Sequence, residues 1–225
     1  MNICVLIPTY NESRAIGGLV NEVQAAGLKV VVADDGSQDD TVKIAAAAGA
    51  EVLHSSRNMG KGASLIRGYN FALSRGFDAV ITMDGDGQHS SLDLPTFIEK
   101  AENSKSPLIV GNRMGSIKGM PALRVATNFL MSKFISLLTA QSIPDTQCGF
   151  RLAKKELLTR IDLSTSKYET ESEILIRAAR LGFAIESVPV RTIYSGQKSQ
   201  INPFVDTWRF FRFLLKDFFS RSGHA

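Results

Sequence analysis

The chain has 225 residues, 44% of them hydrophobic and 21% charged, with a formal net charge of +4 at neutral pH. That is enough to bury one sizeable core, ordinary for a globular domain, and too mildly basic to argue for a nucleic-acid partner. Its two cysteines, Cys4 and Cys148, stand far apart with no CxxC or histidine-rich neighbour; this excludes a disulfide framework or zinc site and suits a reducing, cytoplasmic setting.

The first residues, Met1 to Pro8, lack the basic region and small-residue cleavage site of a signal peptide. No apolar run approaches the roughly 20 residues of a membrane span, so an integral membrane helix is not expected. Taken in order, Ile3 to Ile7 predicts a first strand, ended by Pro8, which lacks the N–H that a central ladder uses. Asn11-Glu12-Ser13 opens a helical segment to about Ala26, stopped by Gly27. Leu28 to Ala33, apolar except for Lys29, reads as a strand buried on both faces. Asp34-Asp35-Gly36-Ser37 follows, then an alanine-rich helix from Asp39 to Ala48. Glu51 to His54 is a third strand, Gly60-Lys61-Gly62 introduces a helix from Ala63 to Arg75, and Ala79 to Met83 is a fourth strand. Leu92 to Asn103 predicts a helix and Leu108 to Val110 a fifth strand.

This alternation implies an α/β fold, a mostly parallel sheet flanked by helices on both faces. A long amphipathic helix follows from Met120 to Thr139, with Pro121 in its first turn. Phe150 to Ala153 is a short strand and Glu171 to Leu181 a helix; Phe183 to Ile193 is a strand that Pro189 marks as an edge or a kink. No repeat or linker divides the chain. Residues 1–202 are expected to form one domain, followed by an amphipathic segment over 203–225.

Ligands of such folds sit beyond the carboxyl ends of the strands, and the unusual polar clusters fall at that edge. They are Pro8-Thr9-Tyr10-Asn11-Glu12, Asp34-Asp35-Gly36-Ser37 and Asp84-Gly85-Asp86. Taken alone, two carboxylates each followed by glycine make an acidic turn as readily as a seat for a divalent cation that bridges acid groups to a diphosphate. Three such loops on one rim favour the cation. A dinucleotide enzyme would need Gly-x-Gly-x-x-Gly after the first strand; here no glycine appears before Gly17, and no P-loop pattern is present.

Ile7-Pro8-Thr9-Tyr10-Asn11-Glu12, Asp34-Asp35-Gly36-Ser37 with Asp39 and Thr41, Asn58-Met59-Gly60-Lys61-Gly62, Asp84-Gly85-Asp86-Gly87-Gln88-His89 and Gly111-Asn112-Arg113 occur in one order along the chain. In that order they resemble family 2 glycosyltransferases of the GT-A fold. Asp145-Thr146-Gln147-Cys148-Gly149-Phe150-Arg151 and Gly196-Gln197-Lys198-Ser199 narrow the resemblance to the polyprenyl-phosphate sugar transferases, the dolichol-phosphate mannose synthase group, over about residues 3–201. The order Gly196-Gln197-Lys198-Ser199 departs from that group's Gly-x-Ser-Lys.

The resemblance implies roles. Pro8, Tyr10, Glu12, Asp35, Lys61, Asp84 and Gly85 would border the nucleotide of a nucleotide-sugar donor, GDP-mannose or UDP-glucose. Asp84, Asp86 and Gln88 would hold Mg²⁺ or Mn²⁺ on its diphosphate. Asp35 could instead cap the following helix, and Lys61 could be a solvated loop lysine. His89 is expected behind the site, not as a metal ligand. Arg113, Arg124 and Asn128 would hold the phosphate of a polyprenyl acceptor, dolichyl or undecaprenyl, since guanidinium forks suit phosphate. Arg191 and Lys198 would bind phosphate by closing over the diphosphates as a lid. Asp86, Arg113 and Asp145 would stand nearest the reaction. Glu171 and Glu173 cannot face the same way on a helix; one would serve the site while the other is solvated. A phosphate acceptor is largely ionised at neutral pH and needs no strong base.

The segment from Phe204 to Phe219 carries an apolar stripe, Phe204, Trp208, Phe211, Leu215 and Phe218, and a basic one, Arg209, Arg212 and Lys216. Phe210, Phe213 and Leu214 fall outside the first stripe. Such a helix suits the membrane interface, or burial in the core or in a homodimer with snorkelling cations. The sequence thus implies a metal-dependent, inverting hexosyltransferase at the cytoplasmic membrane face. The alternatives are a family 2 enzyme acting on a saccharide hydroxyl, with Glu171 or Asp145 as base, and a non-catalytic membrane-surface module. A sugar-1-phosphate nucleotidyltransferase is disfavoured because its glycine-rich first loop is missing.

Overall fold

The computed structural model describes residues 1–115, 117, 119–193, 209, 210 and 212–214. Its strands are β1 Ile3–Thr9, β2 Lys29–Asp34, β3 Glu51–His54, β4 Ala79–Thr82, β5 Leu108–Asn112, β6 Arg151–Lys154 and β7 Ile185–Pro189. Its helices are α1 Ile16–Ala25, α2 Thr41–Ala47, α3 Lys61–Ser74, α4 Leu94–Asn103, α5 Ala122–Thr139, α6 Lys155–Leu158 and α7 Glu169–Arg180. The seven strands form one sheet in the order β3-β2-β1-β4-β6-β5-β7.

β1 is buried along its whole length, and each fully buried aliphatic side chain there contributes roughly 1.5–3 kcal/mol. It runs two residues further than expected, through Pro8 to Thr9. Successive peptide groups of a strand face alternate sides. The Leu6 carbonyl accepts the Met83 N–H on the β4 side, and the Thr9 carbonyl accepts the Asp35 N–H on the β2 side. Pro8 therefore turns its missing N–H toward β4, past Thr82, where that pairing has ended. The proline costs no ladder bond.

From β1 the chain winds outward to β2 and β3, then returns to place β4 on the other flank of β1. That reversal is a topological switch point, and a crevice opens between the carboxyl ends of the two diverging strands. β6 is antiparallel to both β4 and β5, the one exception to a parallel sheet among the described strands. β7 pairs in parallel with β5 alone and finishes at Pro189, the edge position expected of it. Helix α1 packs with α2, whereas α3 packs on β1 and β2 and touches α7, which in turn packs on α5. A Cβ on Gly62 would lie 1.9 Å from Thr170 Oγ1, so only glycine lets α3 start this close to α7.

Phe210 and Phe213 are buried in the same core as the sheet, Phe210 edge-on to Phe134 at 6.0 Å between centroids, and Leu214 packs beside them. Arg212 is exposed. Phe210, Phe213 and Leu214, the described apolar residues of this segment that meet the core, fall outside the expected apolar stripe. Phe204, Trp208, Phe211, Leu215, Phe218 and Lys216 lie outside the described residues. Exposed apolar surface gathers instead on α5, where Leu123 is 74%, Leu130 65% and Leu137 81% accessible. Among the described residues no helix is long and apolar enough to cross a membrane.

Candidate active site

A cavity of about 710 Å³ opens at the β1–β4 crevice. Its wall includes Pro8, Tyr10, Glu12, Asp35, Lys61, Asp84, Gly85, Asp86, Gln88, Arg113 and Arg124, so most of the residues singled out in the sequence share one space. Asn128, Asp145 and Arg191 are not on its wall, and Lys198 lies outside the described residues.

The β1 loop is held by its neighbour. Asn11 adopts φ 57°, a left-handed conformation that asparagine tolerates. Its N–H donates to Ser37 Oγ while its side-chain oxygen accepts the Gln38 N–H, both at 2.8 Å. Glu12 N–H donates to Thr41 Oγ1 at 2.8 Å. These bonds explain why α1 begins at Ile16 and not at Asn11. Asp35 does not cap α2. Its two oxygens accept the Met59 and Gly60 N–H groups at 2.8 and 2.7 Å, fixing the loop that leads into α3. The turn after β2 is held by Asp34, whose Oδ2 accepts the Gly36 and Ser37 N–H groups and lies 2.9 Å from His54 Nδ1.

Lys61 is neither solvated nor in a loop. It is the first residue of α3, and its Nζ lies 2.6 Å from Asp84 Oδ1 and 3.0 Å from Glu171 Oε1. Burial alone would push this ammonium down; the Asp84 and Glu171 carboxylates more than reverse it and hold it above its ordinary value. Burial would raise Asp84, but Lys61 and then His89 keep its carboxyl well below the usual range. His89 stands behind Asp84 as expected, its Nε2 3.3 Å from Oδ2 and its ring 5.1 Å from that of Phe150.

Asp86 differs from Asp84. Its Oδ1 accepts the Gln88 N–H at 3.0 Å, and burial, reinforced by the charge of Asp84, pushes its carboxyl up. Glu12 is pushed up to about 7, by burial first and then by Asp86, Asp39 and Asp84. Hard oxygen donors under mutual repulsion are the chemistry that favours Mg²⁺ or Mn²⁺. Among the described residues no three acidic, histidine or cysteine side chains form a ready-made cage, so a divalent ion bound here would need phosphate or water oxygens to complete its shell.

The Glu12 value has a consequence for stability. A carboxyl that binds its proton more tightly when folded favours the folded state fully below the unfolded value, and loses that advantage as pH rises through the folded one. In metal-free protein, Glu12→Gln should therefore gain thermal stability relative to wild type between about pH 5 and about pH 8. Parallel melting curves across that range would contradict the repulsion inferred here.

Arg113, which also lines the cavity, is 6% exposed. Its Nε and Nη2 donate to Asp145 at 2.7 and 2.9 Å, and its backbone N–H to the same carboxylate at 3.2 Å. Asp145, 1% exposed, also accepts the Gln147 N–H. It is a buried holder of Arg113, not a carboxylate open to the reacting centre. The rest of its motif is scaffold. A Cβ on Gly149 would lie 2.7 Å from both Asp84 oxygens, Phe150 stacks on Phe97 at 4.4 Å, and Arg151 donates to the carbonyls of Cys148, Thr146 and Glu171.

Other expectations need correction. Glu173 is fully buried and accepts bonds from Ser164, Thr165 and Arg177; it anchors a loop and is not solvated. Glu171 is the acid that faces the cavity. Arg191 forms a two-pronged pair with Asp93 at 2.9 and 2.7 Å, away from the cavity wall. Asn128, one turn after Arg124 on α5, is buried, and its Nδ2 has no hydrogen-bond partner among the described residues. Sequence reading missed Lys167 and Tyr168, and it placed Arg209 on a membrane helix, whereas all three line the cavity. The basic residue two before Glu169 was the available signal for Lys167.

The mostly parallel sheet, with acids and a buried guanidinium lining one cavity at its switch point, has the GT-A nucleotide-diphospho-sugar transferase fold. The chain belongs to glycosyl transferase family 2, whose model matches residues 4–162, and is a glycosyltransferase. It is 31% identical over 216 residues to the UDP-N-acetylglucosamine–dolichyl-phosphate N-acetylglucosaminyltransferase of Methanococcus voltae, covering 86% of each chain. It is 30% identical to the undecaprenyl-phosphate mannosyltransferase of Micrococcus luteus, over 84% of this chain and 83% of that one. Among solved structures it superposes on glucosyl-3-phosphoglycerate synthase of Mycobacterium tuberculosis with TM-score 0.74 and 23% identity, covering 99% of this chain and 80% of that one. That likeness is one of fold.

Proposed function

We propose that this enzyme moves a hexose from a nucleotide sugar, GDP-mannose or UDP-glucose, to a polyprenyl phosphate with inversion, using Mg²⁺ or Mn²⁺ at the cytoplasmic face of a membrane. One observation carries the reading: Arg113 and Arg124 on the cavity wall are the chain neighbours of Met114 and Val125, which with Ile117, Met120, Ala122, Ala126 and Phe129 line an apolar groove of about 440 Å³. A phosphate held by the two guanidinium groups would have an apolar surface beside it for its prenyl chain. The names of the Methanococcus and Micrococcus relatives support the same acceptor class.

Asp84, Asp86 and Gln88 would hold the divalent ion, which when bound offsets charge on the departing diphosphate. Pro8, Tyr10, Glu12, Asp35 and Gly85 would border the nucleotide. An acceptor phosphate oxygen forms the new bond to the anomeric carbon, and the bond from that carbon to the diphosphate oxygen breaks, its electron pair leaving with the nucleoside diphosphate. Arg113, aimed by Asp145, and Arg124 orient the attacking phosphate. No proton has to be removed from an ionised phosphate. A hydroxyl acceptor would need a carboxylate base, and the expected candidates are engaged: Asp145 by Arg113 and Glu171 by Lys61.

The test is a panel of radiolabelled GDP-mannose, UDP-glucose and UDP-N-acetylglucosamine with polyprenyl phosphate, with and without Mn²⁺. Label should enter the organic phase from one donor and only with metal. Transfer solely to a water-soluble saccharide hydroxyl would overturn the lipid reading.

A further inference from the structure

We propose that Lys61 makes cation binding at Asp84 and Asp86 conditional on the nucleoside diphosphate, serving as resident counter-ion of Asp84 until a diphosphate draws it away. The inference rests on the reading above, in which a nucleotide sugar and a divalent ion share the cavity. The Lys61 ammonium lies 2.6 Å from Asp84 Oδ1, with only 18% of its side chain accessible. Asp84 is held beside it: its other oxygen lies 3.3 Å from the buried His89 ring, and the carboxylate packs against Gly149, where a Cβ would come within 2.7 Å of both oxygens. A divalent ion arriving alone must therefore take Asp86 without Asp84, or bind beside a cation already seated there.

Glu171 makes the arrangement switchable. At 3.0 Å from the same ammonium, it keeps Lys61 paired when Asp84 is given up. A diphosphate adds ligands to the ion and negative charge within reach of the ammonium. Each then strengthens the binding of the other, and the coupling is reciprocal. The consequence is an enzyme that takes its donor as a metal complex and does not fill its metal site in advance.

Mn²⁺ binding to the full chain, followed by electron paramagnetic resonance of the free ion, tests this without reference to turnover. Wild type should bind Mn²⁺ weakly alone and about tenfold or more tightly with saturating GDP or UDP. Lys61→Met should bind Mn²⁺ alone about tenfold more tightly than wild type, with most of the coupling lost, and Lys61→Arg should keep it. In melting experiments, Mn²⁺ alone should stabilise Lys61→Met more than wild type. Glu171→Gln leaves Asp84 as the only carboxylate partner of the ammonium, so it should weaken Mn²⁺ binding in the absence of nucleotide; this arm decides the matter if Lys61→Met does not fold. Unchanged coupling in Lys61→Met, or wild-type affinity in Glu171→Gln, overturns the inference. A wild-type chain that binds no Mn²⁺ even with GDP or UDP refutes the functional reading itself, and this inference with it.

Discussion

Asp86→Asn is expected to lower kcat/KM for sugar transfer by about 10³-fold, roughly 4 kcal/mol of transition-state stabilisation, while the protein keeps or slightly gains thermal stability. The two halves of that result have one cause. The Asp86 carboxyl is held up by burial and by Asp84, so its charge is a cost to the metal-free fold and an asset only to a bound cation. An amide oxygen can still accept the Gln88 N–H that Asp86 Oδ1 now accepts. Asp84→Asn should behave differently. It would strip Lys61 of its nearer carboxylate and His89 of its partner, and breaking such a buried pair costs about 3–5 kcal/mol. Loss of activity with a lower melting temperature marks Asp84 as a structural partner as well as a cation ligand; loss without it marks Asp86 as a cation ligand alone. Full metal-dependent activity in Asp86→Asn would sink the assignment.

The contrast between these neighbouring acids also shows what a sequence can and cannot carry. Asp84 and Asp86 are equivalent in a motif, and both sit at the end of a readable apolar strand. Their difference comes first from Lys61, 23 positions away from Asp84 along the chain, and then from His89. The β-α alternation up to residue 112 was legible because each strand is a short apolar run closed by a polar turn. The insertion of β6 between β4 and β5 was not, since strand order depends on pairing partners and not on local pattern. Burial of acids was the main blind spot. One of Glu171 and Glu173 was expected to be solvated, and the burial of Glu173 was not legible because its partners, Ser164 and Thr165, come from a loop with no periodicity to place it. Arg191 looked like a lid residue because Asp93, its partner, lies 98 residues earlier. At the C-terminal segment Phe210 and Phe213, which fall outside the stripe drawn by spacing, are buried in the core. Periodicity names the faces of a helix without saying which face meets the protein.

Asp145→Asn separates two readings of the carboxylate nearest Arg113. A catalytic base would leave the fold intact when changed to its amide and would remove the acidic limb of the pH–rate profile. Here the carboxylate is 1% exposed and receives the Arg113 guanidinium through two bonds, together with the N–H groups of Arg113 and Gln147. Burial would raise it, but Arg113 overrides this and holds its carboxyl below the ordinary range. The amide cannot neutralise Arg113, so the variant should lose about 3 kcal/mol of stability, and KM for the acceptor phosphate should rise about tenfold or more as the guanidinium loses its aim. A carboxyl with a lowered folded value contributes stability that is fully present above its unfolded pKa of about 3.9 and is lost as pH falls through the folded one. The gap between wild type and Asp145→Asn should therefore stay constant from about pH 6 to about pH 8 and narrow in acid. Arg113→Lys, which keeps the charge but not the fork, should raise acceptor KM in the same way. If Asp145→Asn instead melts like wild type and loses only the acidic limb, the buried pair is not what positions Arg113, and Asp145 returns to the reacting centre as a base.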